Sequence, residues 1–158
     1  MISNLFTGLY DEAVLAKIAF LQKIRLFEGI SRRNLIHVVE NMQERVYLKG
    51  ETIFTEGDIG RALFIVFSGK VLLTRRDDEG EEQKIAEVNP GEFFGEMALL
   101  EEMPRTTSAV ASEETRVFML FKVKLENVLF SNPKVGVVIA SQLARIMSAR
   151  LRSLMQKK

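Results

Sequence analysis

Cysteine and tryptophan are absent from the 158 residues, and there are only three prolines and one histidine. Without cysteine there can be no disulfide framework, no thiolate nucleophile and no thiolate-held metal. A single histidine cannot supply the imidazoles of a typical zinc centre or a cupin-type metal site. That residue, His37, sits among Leu35, Ile36, Val38 and Val39, the setting of a partly packed helix residue. The serines and threonines have no matching base to activate them. These absences argue against an enzyme and against a metal cofactor. No apolar run approaches the roughly 20 residues of a membrane-spanning helix. Asp11, Glu12 and Lys17 interrupt the N-terminal stretch, which is unlike a signal peptide. A reducing cytoplasm is the compartment expected of such a chain. An excess of one charge is missing too: 22 basic and 21 acidic residues leave +1, so bulk nucleic-acid binding has no electrostatic support.

What is present is a chain that is 47% hydrophobic and 27% charged, values that suit one packed domain and exclude wholesale disorder. Residues 11–24 carry Val14, Leu15, Ile18, Phe20, Leu21 and Ile24 at helical spacing behind Asp11 and Glu12, which suit a helix N-terminus. Ser31 is placed as the N-cap of a second helix that runs to about Asn41. From Glu44 the pattern changes to short runs rich in Val, Ile, Phe and Thr, at 45–48, 52–55, 63–67, 70–75, 83–88, 106–111 and 115–121. Turn residues such as Ser68-Gly69 and Asn89-Pro90-Gly91 separate them, the pattern of an antiparallel sandwich, barrel or roll. Between two of these runs, residues 95–103 suit one short helical turn. From Lys122 the helical period returns, Asn132-Pro133 breaks it, and a longer helix is expected over 134–155. The expected division is a helical segment at 1–43, a β-rich segment at 44–121 and a helical segment at 122–158, all in one domain. The last segment carries eight basic residues against Glu126 and is +7, leaving −6 on residues 1–121. Such a tail is either a solvated helix face or a docking surface.

The chemistry concentrates in residues 93–109. Gly95 allows close backbone approach and opens a short helix, whose free N–H groups attract an anion. Glu96 adds a carboxylate that can only accept hydrogen bonds, which suits a ligand with a hydroxyl to donate. Arg105 follows at the expected start of a strand, where its planar fork can grip a phosphate through two hydrogen bonds. Thr106 and Thr107 leave room and add hydroxyls. Phosphate and sugar hydroxyl together indicate a nucleotide. The plain alternative is an ion pair between Glu96 and Arg105, with Gly95 as a structural turn.

This segment resembles the phosphate-binding cassette of the cyclic-nucleotide-binding domain family. The resemblance lies in Phe94-Gly95-Glu96, one residue, Ala98-Leu99, a gap, then Pro104-Arg105 and small residues. A second signature of the family fits Gly57-Asp58, Gly60, Leu63 to Val66 and Gly69, and the Leu26-Phe27 pair with Leu35 resembles its N-terminal helical motif. The resemblance covers about residues 24–155. It implies an α+β, mainly β fold: an eight-stranded antiparallel β-roll, jelly-roll-like, with N-terminal helices and a C-terminal helix pair flanking it. It implies cAMP or cGMP as ligand. Arg105 becomes the phosphate clamp and Glu96 the acceptor of the ribose 2′-hydroxyl. Gly95 and Ala98 would present amides, with Met97 between them and Thr106 lining the pocket. Thr106 bears on the choice between guanine and adenine, with a lean to cAMP. Thr107 departs from the alanine usual in the family and would crowd the pocket if its side chain points inward.

The final helix is the expected lid. Ile139, Leu143, Ile146, Met147 and Leu154 form an apolar stripe on which Arg150 also falls, either snorkelling or stacked on a purine. The expected output passes through the helices to an unidentified protein partner, or to a second copy through the C-terminal helix. No helix-turn-helix segment follows in the sequence, so direct DNA binding is not expected. The rival reading is a ligand-free β-roll that serves as a protein-interaction module.

Overall fold

The computed structural model describes residues 12–156. Asp11, Lys157 and Lys158, which entered the reading of the first helix and of the basic tail, lie outside the described residues. The chain forms two compact units, one of residues Met42–Lys124 and one of the segments up to Asn41 and from Leu125.

The first unit is the roll. Its strands are β1 (Met42–Tyr47), β2 (Thr52–Phe54), β3 (Ala62–Ser68), β4 (Val71–Arg76), β5 (Glu82–Val88), β6 (Phe93–Phe94), β7 (Ser108–Ala111) and β8 (Thr115–Phe121). They pair antiparallel in two four-stranded sheets, ordered β1-β8-β3-β6 and β2-β7-β4-β5. The architecture is the eight-stranded roll expected above. Seven strands match the apolar runs, and the eighth, β6, is two residues of the glycine-containing segment itself. Period-two alternation sends Val71 and Leu73 of β4, with Ala109 and Ala111 of β7, to one shared core. Phe64 and Phe94 stack at 5.2 Å between ring centroids, and Phe54 lies 5.6 Å and 5.8 Å from them.

Two boundaries differ from expectation. The first strand begins at Met42, because β8 offers a partner along its whole length and pairs Leu120 with Met42. The run at 106–111 pairs only from Ser108. Upstream, the backbone of Arg105 is already bonded to Gly57 and Asp58, which holds it off the ladder.

The second unit is helical: α1 (Glu12–Leu21), a 3-10 turn at Arg25–Phe27, α2 (Arg32–Glu40), then α3 (Lys122–Ser131), which starts in the roll's segment, and α4 (Pro133–Gln156). The first helix stops at Leu21 rather than Ile24. Ile24 adopts an extended ψ of 127°, and the turn after it buries both Leu26 and Phe27. Ser31 caps α2 as expected, accepting the Asn34 amide at 3.3 Å. Pro133 opens α4 at the position where a missing N–H costs nothing. Val135, Ile139, Leu143 and Ile146 of α4 are buried, and Gln142 donates to the Glu28 carbonyl at 3.3 Å. The burial ends there: Leu154, expected on the apolar stripe, is 67% exposed. His37 is half-buried on α2. Among the described residues, no helix is long and apolar enough to cross a membrane.

Candidate ligand site

The site is built within the roll unit from two loops that meet on Arg105. The first loop leaves β6 at Gly95, which has φ +72° and ψ 20°, left-handed values that a side chain would strain. A 3-10 turn, Glu96–Leu99, follows; the Ala98 amide closes it onto the Gly95 carbonyl at 3.2 Å. Glu96 is 4% exposed and Ala98 is buried beside it, while Met97 points its side chain to the surface. The second loop contains Arg105, whose own amide donates to the Asp58 carbonyl at 2.6 Å and whose carbonyl accepts from Gly57 at 2.9 Å. Pro104 bridges to Ile59 in the same ribbon.

These backbone bonds aim the Arg105 side chain back across the first loop. Its guanidinium donates to the Gly95 carbonyl at 3.2 Å and to the Ala62 carbonyl at 2.8 Å. The same group lies 4.2 Å from the centroid of the Phe54 ring, close enough for a cation–π contact. Burial lowers its pKa from the usual arginine range, and the Asp58 carboxylate acts in the opposite direction. A guanidinium carries five N–H groups. Two of them are used by these carbonyls, which hold the plane in place.

Two glycines make this geometry possible for different reasons. A Cβ on Gly95 would lie 2.6 Å from an Arg105 terminal nitrogen, on a backbone already at positive φ. Gly60 has no positive φ, yet a Cβ there would lie 2.9 Å from both Cζ and Nε of Arg105 and 3.1 Å from the Ala98 Cβ. Gly60 is therefore glycine to leave room for the guanidinium.

The structure thus brings Gly95, Ala98 and Arg105 into direct contact, with Glu96 buried one residue from Gly95. Thr106 is exposed and Thr107 half-buried in the bend before β7. Arg150 is exposed on α4, in the helical unit, and desolvation lowers its pKa. Sequence reasoning did not single out Phe54, Ala62 or Asp58 as groups around the guanidinium. Asp58 and Gly60 were visible only as a spaced pattern; nothing in sequence marks the Ala62 carbonyl or the Phe54 ring. Among the described residues, no group of three or more carboxylates and histidines is placed to hold a metal ion.

The class defined by this fold is an eight-stranded antiparallel β-roll in which two loops converge on one arginine. The comparisons agree: the description "Cyclic nucleotide-binding domain" matches residues 44–132. The chain belongs to the cyclic nucleotide-binding domain family, a regulatory family. It is 39% identical over 127 residues to a cyclic AMP receptor protein of Thermus thermophilus, covering 80% of this chain and 57% of that protein. It is 36% identical over 93 residues to a cGMP-dependent protein kinase of Caenorhabditis elegans, covering 58% of this chain and 12% of the kinase. Among solved structures it is similar to a cyclic nucleotide-binding domain from Methylobacillus flagellatus, with a TM-score of 0.78 and 29% identity over 90% of this chain and 80% of that one. The chain spans little more than half of the Thermus receptor. The expectation against DNA binding, which rested on where the sequence stops, therefore has no support.

Proposed function

We propose that this chain is a cyclic nucleotide receptor domain and that cAMP is its first ligand. The observation that carries the reading is the Arg105 guanidinium, oriented by two carbonyls and a ring and given room by Gly60 and Gly95. A cyclic phosphodiester keeps one negative charge, which the free edge of the fork takes up in charge-assisted hydrogen bonds. The amides of the 95–98 turn assist, and Glu96 accepts the ribose 2′-hydroxyl. Thr106 and Thr107 line the phosphate side. Arg150 serves the base, and α4 is the element through which binding is read out. The name of the Thermus relative supports cAMP over cGMP.

Output passes by population shift: the ligand favours one arrangement of the helices by its difference in affinity for the two. The receiver is a protein partner or a second copy of the chain. Leu151, Leu154 and Met155, all more than half exposed on α4, support self-association through that helix. Domain limits of 1–43, 44–121 and 122–158, acting as one receptor, belong to the same proposal.

One observation favours a second reading, a roll that binds no nucleotide and only docks a protein. Arg105 is already bonded to two carbonyls, so the site is partly satisfied by itself. Calorimetric titration with cAMP and cGMP decides between the two. Saturable binding of either supports the receptor; flat titrations with both support the docking module.

A further inference from the structure

We propose that Arg75 is a positioning residue for the Arg105–Thr107 loop, an inference that rests on the receptor reading above. Val71 and Leu73 of β4 face the roll core, paired with Ala111 and Ala109. Arg75, two residues further on, is exposed, beyond a register shift at Leu73–Thr74 and a buried Thr74. The β4–β7 ladder ends at Thr74 opposite Ser108, so one more step brings Arg75 level with Thr107. There the ladder is replaced by a side chain: the Arg75 Nε–H donates to the Thr106 carbonyl at 3.0 Å.

This bond lies one residue from the clamp. The N–H and C=O of Arg105 are both spent on the 57–58 backbone, which ties the loop on one flank. Arg75 ties the other flank at the next carbonyl. Just beyond, Ser108 is held through its hydroxyl by the Glu56 amide at 2.8 Å, and Glu56 accepts the Arg76 amide at 3.2 Å. A trans peptide is planar, with C=O and N–H pointing to opposite sides. Fixing the Thr106 carbonyl therefore fixes the direction of the Thr107 amide and the rotation of the bend that carries both threonines. A loop ordered before binding loses less entropy on binding, which is how Arg75 raises affinity without touching the ligand.

Three substitutions separate this role from a charge acting on the ligand. Arg75→Gln puts a neutral N–H donor at the bond count of Nε, Arg75→Met puts a methyl there, and Arg75→Lys keeps the charge with the donor one bond further out. Each variant of the full chain is titrated with cAMP, and amide hydrogen exchange of residues 104–108 is followed without ligand. Arg75→Met is expected to bind about 5-fold more weakly, the worth of one exposed hydrogen bond. Its 104–108 amides should exchange faster while β8 keeps its protection. Arg75→Gln should stay within about 2-fold of the parent in both readouts, by the same scale. Parent-like behaviour of Arg75→Met in both readouts overturns the inference, as does Gln failing like Met while Lys is retained. A parent that binds neither cAMP nor cGMP overturns the receptor reading; the exchange comparison then still decides whether Arg75 holds the loop.

Discussion

Arg105 in the roll and Arg150 on α4 were both singled out as ligand groups, yet the two regions place an arginine by different physics. Arg105 is held by long-range pairing. Residues 57–58 grip its backbone, carbonyls from positions 62 and 95 hold its guanidinium, and two glycines far apart in sequence leave it space. Arg150 is carried by a single helix, one turn beyond Ile146, past the last buried residue of the α4 stripe. An arginine fixed by several independent elements is preorganised and costly to disturb. One carried on the exposed part of a single helix moves with that helix.

The strongest way to break this contrast is Arg105→Ala. Losing a charged, bidentate contact should weaken cAMP binding by at least 10- to 100-fold, from about 1.5–3 kcal/mol at roughly 1.4 kcal/mol per decade. Stability should fall by about 1–3 kcal/mol as well, since the Gly95 and Ala62 carbonyls lose a donor. Calorimetry and thermal melting read the two effects, and parent-like titration removes the clamp from the account. The glycine pair sharpens the point. Gly60→Ala should cost about 10-fold in affinity, one charged contact disturbed, and some stability as well, because the guanidinium it displaces is bonded to the Gly95 and Ala62 carbonyls and the Ala98 Cβ stands beside it. Gly95→Ala should in addition cost about 1–2 kcal/mol of stability, because its φ is left-handed. Equal melting temperatures for the two variants would contradict the separate reasons assigned to them.

Glu96→Gln is the subtler test inside the roll. About a 5-fold loss is expected for the ribose nucleotide, the scale of one hydrogen bond, with the 2′-deoxy analogue nearly unaffected. Equal losses for both ligands would make Glu96 a structural residue. The smallest effect belongs to the helical unit. Arg150→Ala should weaken binding only about 2- to 5-fold, as exposed cation–π contacts of about 0.5–1 kcal/mol do. Its signature lies in hydrogen exchange: cAMP should protect residues 134–155 in the parent and protect them less in the variant. No ligand-dependent protection in the parent would remove α4 from the signalling path. A loss as large as that of Arg105→Ala would erase the contrast between the two arginines.

Local chemistry is legible in a chain, and here it carried far. Alternating apolar runs with turn residues between them announced the roll, Ser31 announced a helix start, and Asn132-Pro133 announced the break between the two C-terminal helices. Those signals work because caps, turns and alternation depend on residues close in sequence. The limits of that legibility appear at particular residues. Ile24 carries the helical apolar pattern but leaves the helix so that Leu26 and Phe27 are buried. Thr106 has a strand former's side chain but stays off the ladder because Arg105 is bonded elsewhere. The need for glycine at position 60, the Ala62 carbonyl, the Phe54 ring and the bond from Arg75 to Thr106 were decided by the tertiary structure alone. Each depends on segments up to 51 residues apart meeting within a few ångströms, as Phe54 and Arg105 do at 4.2 Å. Strand pairing creates that closeness, and no local pattern encodes it.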